Sequence, residues 1–205
     1  MTTQSTIEQL RSIRLHGMAE AFEHQLTQLI FTENSFEQRL QMMLDSEVSY
    51  RNNTRYKRLL KNGRLKVTAT PEDFIYKTAR GLEKSQYADL LTCRWIEQQQ
   101  NLIMTGATGT GKTWLACSLG VQAARKGITI GYKRASRLLE EMAIAHEDGS
   151  IGKLRLKLMK IQVLIIDDFG LTGLDTRGKN DLLELLDDRV GNASTIMLGQ
   201  MPVKS

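Results

Sequence analysis

Residues 101–125 read NLIMTGATGTGKTWLACSLGVQAAR. The apolar run Asn101–Thr105 leads into Gly106-Ala107-Thr108-Gly109-Thr110-Gly111-Lys112-Thr113, and a helical pattern from Lys112 to Arg125 leads out. The eight middle residues fit G-x-x-x-x-G-K-[ST], the phosphate loop, in its expected strand–loop–helix setting. The glycines let the backbone curl so that its N–H groups face one point. The helix N-terminus adds partial positive charge there. In this reading Lys112 bridges the β- and γ-phosphates of a nucleotide, and the Thr113 hydroxyl holds a magnesium ion. The alternative, a bare glycine-rich turn, does not account for the strand and helix in register.

A second signal lies downstream. Val163-Leu164-Ile165-Ile166-Asp167-Asp168 is an apolar run ending in two carboxylates, as a buried central strand of a parallel sheet reads. Ligands of open α/β sheets bind at the carboxyl ends of the strands, so this end should share a crevice with the phosphate loop. Asp167 then reaches magnesium, and Asp168 orients or deprotonates an attacking water. The bland reading is that the pair caps the turn Phe169-Gly170.

Around these two strands the chain alternates. Further strands are expected at Ile128–Lys133 and Thr195–Leu198, with helices over Ser136–His146, Ile151–Lys160 and Thr176–Val190. Gly127 and Gly191 sit where C-terminal caps belong. Such alternation predicts an α/β fold, a parallel sheet with helices on both faces. A small-molecule kinase puts the acidic strand beside the phosphate-loop strand, whereas motor and switch ATPases insert one between them, tipped by a polar sensor. Ser194–Leu198 followed by Gly199-Gln200 is the candidate for that strand, and Gln200 for the sensor; an ordinary loop glutamine is the alternative.

Residues 1–66 read as a separate helical domain. Ile7, Leu10, Met18, Phe22, Leu26 and Leu29 fall at helical spacings. Ser35 and Gln38 form a capping box for a helix with the apolar stripe Leu40, Met43, Leu44 and Val48, stopped at Asn62-Gly63. Residues 67–98 connect the two parts, with helix starts at Thr70-Pro71 and near Ser85. Arg51, Arg55, Lys57, Arg58, Lys61, Arg64 and Lys66 fall in a run that contains no acid. Arg51, Arg55 and Arg58 share a helical face, a stripe suited to DNA phosphates or, alternatively, a solvated or protein-facing surface. Lys133-Arg134 and the helical face Lys153, Lys157, Lys160 are further basic sets.

Composition sets bounds. The 205 residues carry a net charge of +5, which mildly favours an anionic partner. At 41% hydrophobic and 25% charged, the chain has the balance of a folded globular protein. The longest strictly apolar runs are far too short to span a bilayer, and the N-terminus MTTQSTIEQL shows no signal peptide. Cys93 and Cys117 cannot make a disulfide framework or a zinc site, and His16, His24 and His146 fit no metal or triad pattern. These features place the protein in the cytoplasm, without a membrane partner.

RSIRLHGMAEAF, YKRLLK, DFIYKTARGL, WIEQQQNLIMTGATGTGKTWLACSLG, VLIIDDFGL, DLLELLDDR and STIMLGQMPV run in order through nearly the whole chain. In these stretches the sequence resembles the IstB-like ATP-binding proteins, helpers of insertion-sequence transposases. These are AAA+ ATPases close to the helicase loader DnaC and the initiator DnaA. The resemblance implies a P-loop AAA+ core over 99–205 behind a helical partner- or DNA-interaction domain. It implies ATP and Mg²⁺ as ligands, double-stranded DNA and a transposase as partners, and a homo-oligomer. It also implies that Arg80-Gly81-Leu82 and Trp95-Ile96 wrap the adenine, although core packing suits Trp95 as well. In the family Ser or Thr precedes the sensor glutamine, where this chain has Gly199. The family also continues with a fifth strand, an arginine finger and a helical lid, so the sequence reads as C-terminally truncated and unable to turn over ATP. A helicase loader is the neighbouring alternative, a small-metabolite kinase the alternative from another class, and a catalytically dead, nucleotide-binding remnant the reading that truncation would favour.

Overall fold

The computed structural model describes residues 3–28, 31, 33–75, 81–170 and 176–200. The chain divides into two compact units, Met1–Arg58 and Leu59–Ser205. Residues 59–66, grouped with the helical segment in the sequence reading, belong to the second unit.

The first unit is helical: α1 (Thr3–Ser12), α2 (His16–Thr27) and most of α3 (Phe36–Gly63). The expected run of helix from Ile7 onward breaks at Arg14, which takes a left-handed conformation; Leu29 lies outside the described residues. The capping box forms as its spacing predicts. The Ser35 amide donates to Gln38 Oε1 at 2.9 Å, and the Gln38 amide donates to Ser35 Oγ at 3.3 Å. The apolar stripe on α3 is not core, because Leu40, Leu44 and Val48 are exposed. Helix α3 meets α2 instead on a polar face. Ser46 Oγ donates to the Gly17 carbonyl, and Gln25 donates to the Arg39 carbonyl. Gly17 permits this crossing, since a Cβ there would stand 2.6 Å from the Ser46 carbonyl oxygen.

The second unit holds a parallel sheet of β1 (Leu102–Thr105), β2 (Ile130–Arg134), β3 (Val163–Phe169) and β4 (Ser194–Gly199), in the order β1-β4-β3-β2. The intervening helices are α6 (Lys112–Arg125), α7 (Ala135–Glu147), α8 (Ile151–Met159) and α9 (Thr176–Arg189). Before the sheet come a 3₁₀ turn (Pro71–Asp73), α4 (Lys84–Leu91) and the single turn α5 (Arg94–Glu97). Element ends differ from the sequence reading by one or two residues. β3 is buried on both faces over Val163–Ile166, which is why it reads as an unbroken apolar run. Leu164 and Ile166 pack with Leu138, Met142, Leu158, Leu182 and Leu185 on the α7–α9 side. Ile165 points the other way, against Gly120 of α6. The result is the three-layer α/β/α core that the alternation predicts.

Arg189 ties this core together from inside and is fully buried. Its guanidinium donates to the carbonyls of Leu158, Ile161 and Ser194 and to Thr195 Oγ1, at 2.6–3.0 Å. Burial pushes its pKa down to about 10, so it remains a cation at neutral pH.

Candidate nucleotide site

All four strands run the same way, so their C-terminal ends open on one side. β1 delivers the phosphate loop. Gly109 and Gly111 both sit in the left-handed region, at φ +82° and +93°, which a side chain would strain. The loop closes on itself through Thr110 Oγ1, which donates to the Ala107 carbonyl at 2.9 Å. Lys112 Nζ lies over the loop and donates to the carbonyls of Gly106 and Ala107 at 2.6 and 2.8 Å. Its ammonium is thus held at the mouth of the loop, at the N-terminus of α6.

β3 delivers the carboxylates. Its pairing with β4 shifts between Ile166 and Phe169, so Asp167 and Asp168 occupy a bulge, and Asp168 takes φ +60°. Bulges re-aim side chains, and here the two acids separate. Asp167 is 3% exposed and turns to the phosphate loop. Its Oδ2 accepts from Thr113 Oγ1 at 2.9 Å and from the Tyr132 hydroxyl at 2.6 Å, and lies 3.6 Å from Lys66 Nζ. Its Oδ1 accepts from the Asp168 amide at 2.8 Å. Burial alone would raise the Asp167 pKa; the Tyr132 and Thr113 hydroxyls, the Asp168 amide and the Lys66 ammonium outweigh it and hold the carboxyl below its ordinary range. Tyr132 moves the other way. Its own burial and the adjoining carboxylate push the phenol well above its usual value, so it stays a donor. Asp168 is more open, and its carboxylate stands 3.5 Å from Arg134 Nε.

A cavity of about 380 Å³ gathers these groups. Its wall includes Thr108, Gly109, Gly111, Lys112, Thr113, Asp167, Asp168 and Gln200, which follows β4. The structure therefore brings five of the expected phosphate-loop residues together with the acidic strand and the sensor position, while Gly106, Ala107 and Thr110 of the loop do not line this cavity. Thr113 and Asp167 offer adjoining oxygen donors on that wall. A hydroxyl and a carboxylate, completed by phosphate oxygens, suit a magnesium ion. Among the described residues no group of three or more His, Cys, Asp or Glu side chains makes a metal site of its own.

A second cavity of about 630 Å³ adjoins the loop on its other side. Phe74, Ile75, Gly81, Leu82 and Trp114 line it, with Gly106, Gly111 and Lys112. Gly81 and Leu82, from the segment expected to wrap the adenine, line this cavity, while Arg80 lies outside the described residues. Trp95 does not belong there. It is buried, and its Nε1 donates to the Leu90 carbonyl at 3.0 Å, a core contact. The aromatic wall comes instead from Phe74 and Trp114, whose rings stand 5.9 Å apart. Sequence reasoning missed both; the only signal was an aromatic directly after the loop's Lys-Thr.

The basic sets are partly engaged with carboxylates. Arg51, Arg55 and Arg58 are exposed on α3, and Arg51 Nε donates to the buried Glu47 carboxylate at 2.7 Å, so Arg51 already has an ion-pair partner. Lys133 pairs with Glu141 and Arg134 with Asp168, so that set is not an independent basic patch.

Fold and site together define a P-loop protein of the three-layer α/β/α kind, with the acidic strand separated from the loop strand by β4. The chain belongs to the IstB-like ATP binding protein family, whose model matches residues 8–205. It is 46% identical over 203 residues to a Pseudomonas fluorescens protein assigned as the ATP-binding protein of insertion sequence IS1162, covering 98% of this chain and 88% of that one. Among solved structures it is similar to AMPPCP-bound DnaA from Aquifex aeolicus, with a TM-score of 0.60 and 20% identity over 67% of this chain and 44% of that one. It is also similar to the DnaC helicase loader, with a TM-score of 0.54 and 21% identity over 67% of this chain and 80% of that one. The chain thus spans less than half of the DnaA chain, and at these identities the likeness concerns the fold alone. No described helix is long and apolar enough to cross a membrane.

Proposed function

We propose that this protein is an ATP-binding helper of DNA transposition, which binds Mg²⁺–ATP at the strand ends and engages double-stranded DNA and a transposase. The observation that carries the proposal is the convergence of Lys112, Thr113 and Asp167 on one cavity, in a chain whose relatives are insertion-sequence ATP-binding proteins. In this reading the loop amides and Lys112 hold the phosphates, and Phe74 and Trp114 receive the base. Thr113 and Asp167 hold the magnesium ion, which supplies charge neutralisation at the phosphate oxygens. Asp168 orients a water or takes its proton, and Gln200 reads the terminal phosphate. Assembly into a homo-oligomer on DNA completes the proposal.

A helicase loader is the second reading, since the same fold is found in the DnaC helicase loader and does not by itself separate the two roles. A small-molecule kinase is disfavoured, because β4 lies between the phosphate-loop strand and the acidic strand. Calorimetric titration with Mg²⁺–ATP tests the site: Lys112→Ala should remove most of the affinity, and unchanged affinity refutes the assignment. Capture experiments against the transposase and the replicative helicase test the role. Retention of the helicase alone would overturn the transposition reading.

A further inference from the structure

Lys66 falls in the acid-free basic run that reads as a surface stripe, yet its ammonium stands in the phosphate cavity. Nζ is 3.6 Å from Asp167 Oδ2, and the side chain lines the cavity with Lys112, Thr113 and Asp168. Its backbone is fixed. Gly63 packs so closely on Ile130 that a Cβ would stand 2.6 Å from Cγ1, and Leu65 packs over Gly120 of α6. The backbone of Lys66 and Val67 lies against the buried Cys117 sulfur. The side chain beyond that anchor is long and held at its tip by one ion pair, with 35% of it exposed.

Asp167 is the carboxylate that the proposed function assigns to magnesium. An ammonium and a divalent cation repel each other at this range, so the two cannot share that carboxylate closely. A flexible lysine displaced from it has a stronger counter-charge within the same cavity, the terminal phosphate of a nucleoside triphosphate. We propose that Lys66 is a second cation of the phosphate site, paired with Asp167 in the free protein and turned to the terminal phosphate when a triphosphate and its metal are bound. It makes the site distinguish triphosphate from diphosphate, from a segment that precedes the ATPase core in sequence. The proposal rests on the ATP-binding reading above.

The test is calorimetric titration of the full chain with Mg²⁺–ATP and with Mg²⁺–ADP, for wild type, Lys66→Gln, Lys66→Arg and Lys112→Ala. Lys66→Gln should lose about tenfold in ATP affinity, the lower end for one charge-assisted hydrogen bond. ADP affinity should stay within about twofold, because the diphosphate lacks the group that Lys66 reads. Lys66→Arg should keep most of the preference for ATP. Equal losses for both nucleotides, or none for ATP, would overturn the role of Lys66 while leaving the site standing. A wild type that binds neither nucleotide, or a Lys112→Ala variant that binds as wild type does, would overturn the site itself.

Discussion

Glu47 holds the first unit together, and removing its carboxylate should loosen α2 before anything else. The first turn of α2 has no side-chain cap of its own; Leu15 occupies the N-cap position. The free amides of Gly17 and Met18 are instead taken by Glu47 Oε2 from α3, at 2.8 and 3.1 Å. The carboxylate is 5% exposed and also accepts from Arg51 Nε. A negative charge at a helix N-terminus has the favourable sign for the dipole. Glu47→Ala leaves the buried Gly17 amide and the part-buried Met18 amide without their acceptor, at about 1–3 kcal/mol each. Partial rehydration keeps the total near the lower half of that sum, about 3 kcal/mol. Glu47→Gln keeps an acceptor and loses the charge, so about 1–2 kcal/mol is expected. Burial by itself would raise the Glu47 carboxyl; Arg51 and the amides of Met18 and Gly17 outweigh it and hold it below its ordinary 4.5. A lowered folded pKa means stability that is present above about pH 4.5 and is lost as pH falls through the folded value. The gap between wild type and Glu47→Gln should therefore narrow on acidification through that window. Hydrogen exchange over residues 14–28, followed by mass spectrometry, reads α2 without averaging over the second unit. If exchange in Glu47→Ala matched wild type, or if the Gln and Ala variants were equally loosened, the capping argument would be wrong.

Asp167→Asn should weaken magnesium-dependent ATP binding, while Asp168→Asn should leave ATP bound and remove turnover in a hydrolysing relative; intact turnover there would end the role of Asp168 as base. Neutralising Arg55 and Arg58, with Arg51 left on Glu47, should weaken duplex binding for all sequences alike and reduce the log–log salt slope by roughly one to two units. An unchanged slope in a salt titration would assign that face to solvent or a protein partner. Arg189→Ala deprives the buried Leu158 and Ser194 carbonyls, the part-buried Ile161 carbonyl and Thr195 Oγ1 of a donor and should cost about 4 kcal/mol, checked by urea denaturation. A loss below about 1 kcal/mol would mean that water replaces the guanidinium there.

The phosphate loop, the acidic strand and the candidate fourth strand were legible because each is a local signal, whereas the place of β4 between β1 and β3 is a long-range pairing that the structure supplies. Glycine spacing, an apolar run ending in Asp-Asp and a polar tip on the fourth strand are all visible without knowing any contact. What failed depended on contacts between distant segments. The stripe Leu40, Leu44, Val48 has the right period for a core face, yet α3 meets α2 through Ser46, Glu47 and Arg39. Arg51 and Arg134 read in sequence as members of basic sets, and only the structure places the Glu47 and Asp168 carboxylates beside them. Trp95 and Trp114 are equally aromatic; the hydrogen bond to Leu90 takes one into the core and leaves the other on the cavity wall.

The same distinction sorts the stretches that carried the resemblance. DLLELLDDR is as recognisable as the phosphate loop, yet its Arg189 touches neither cavity. It spends its donors on the Ser194 carbonyl and Thr195 Oγ1, at the start of β4, and on the ends of α8 and the following turn. Its contribution to the site is therefore indirect: it fixes the strand whose far end carries Gln200. β2 contributes in the opposite way. The register pairs Arg134 with Asp167, and Tyr132 reaches the Asp167 carboxylate while Arg134 reaches that of Asp168. Three strands thus supply groups to one crevice, the loop from β1, the two acids from β3 and Gln200 after β4, while Tyr132 and Arg134 of β2 hold the two acids without lining it. In a parallel sheet this follows from direction alone, since all carboxyl ends meet on one side. Under the proposed function, a nucleotide held at β1 and β3 would therefore be coupled to groups on β2, after β4 and on the Lys66 segment before them, without any of these needing a motif of its own.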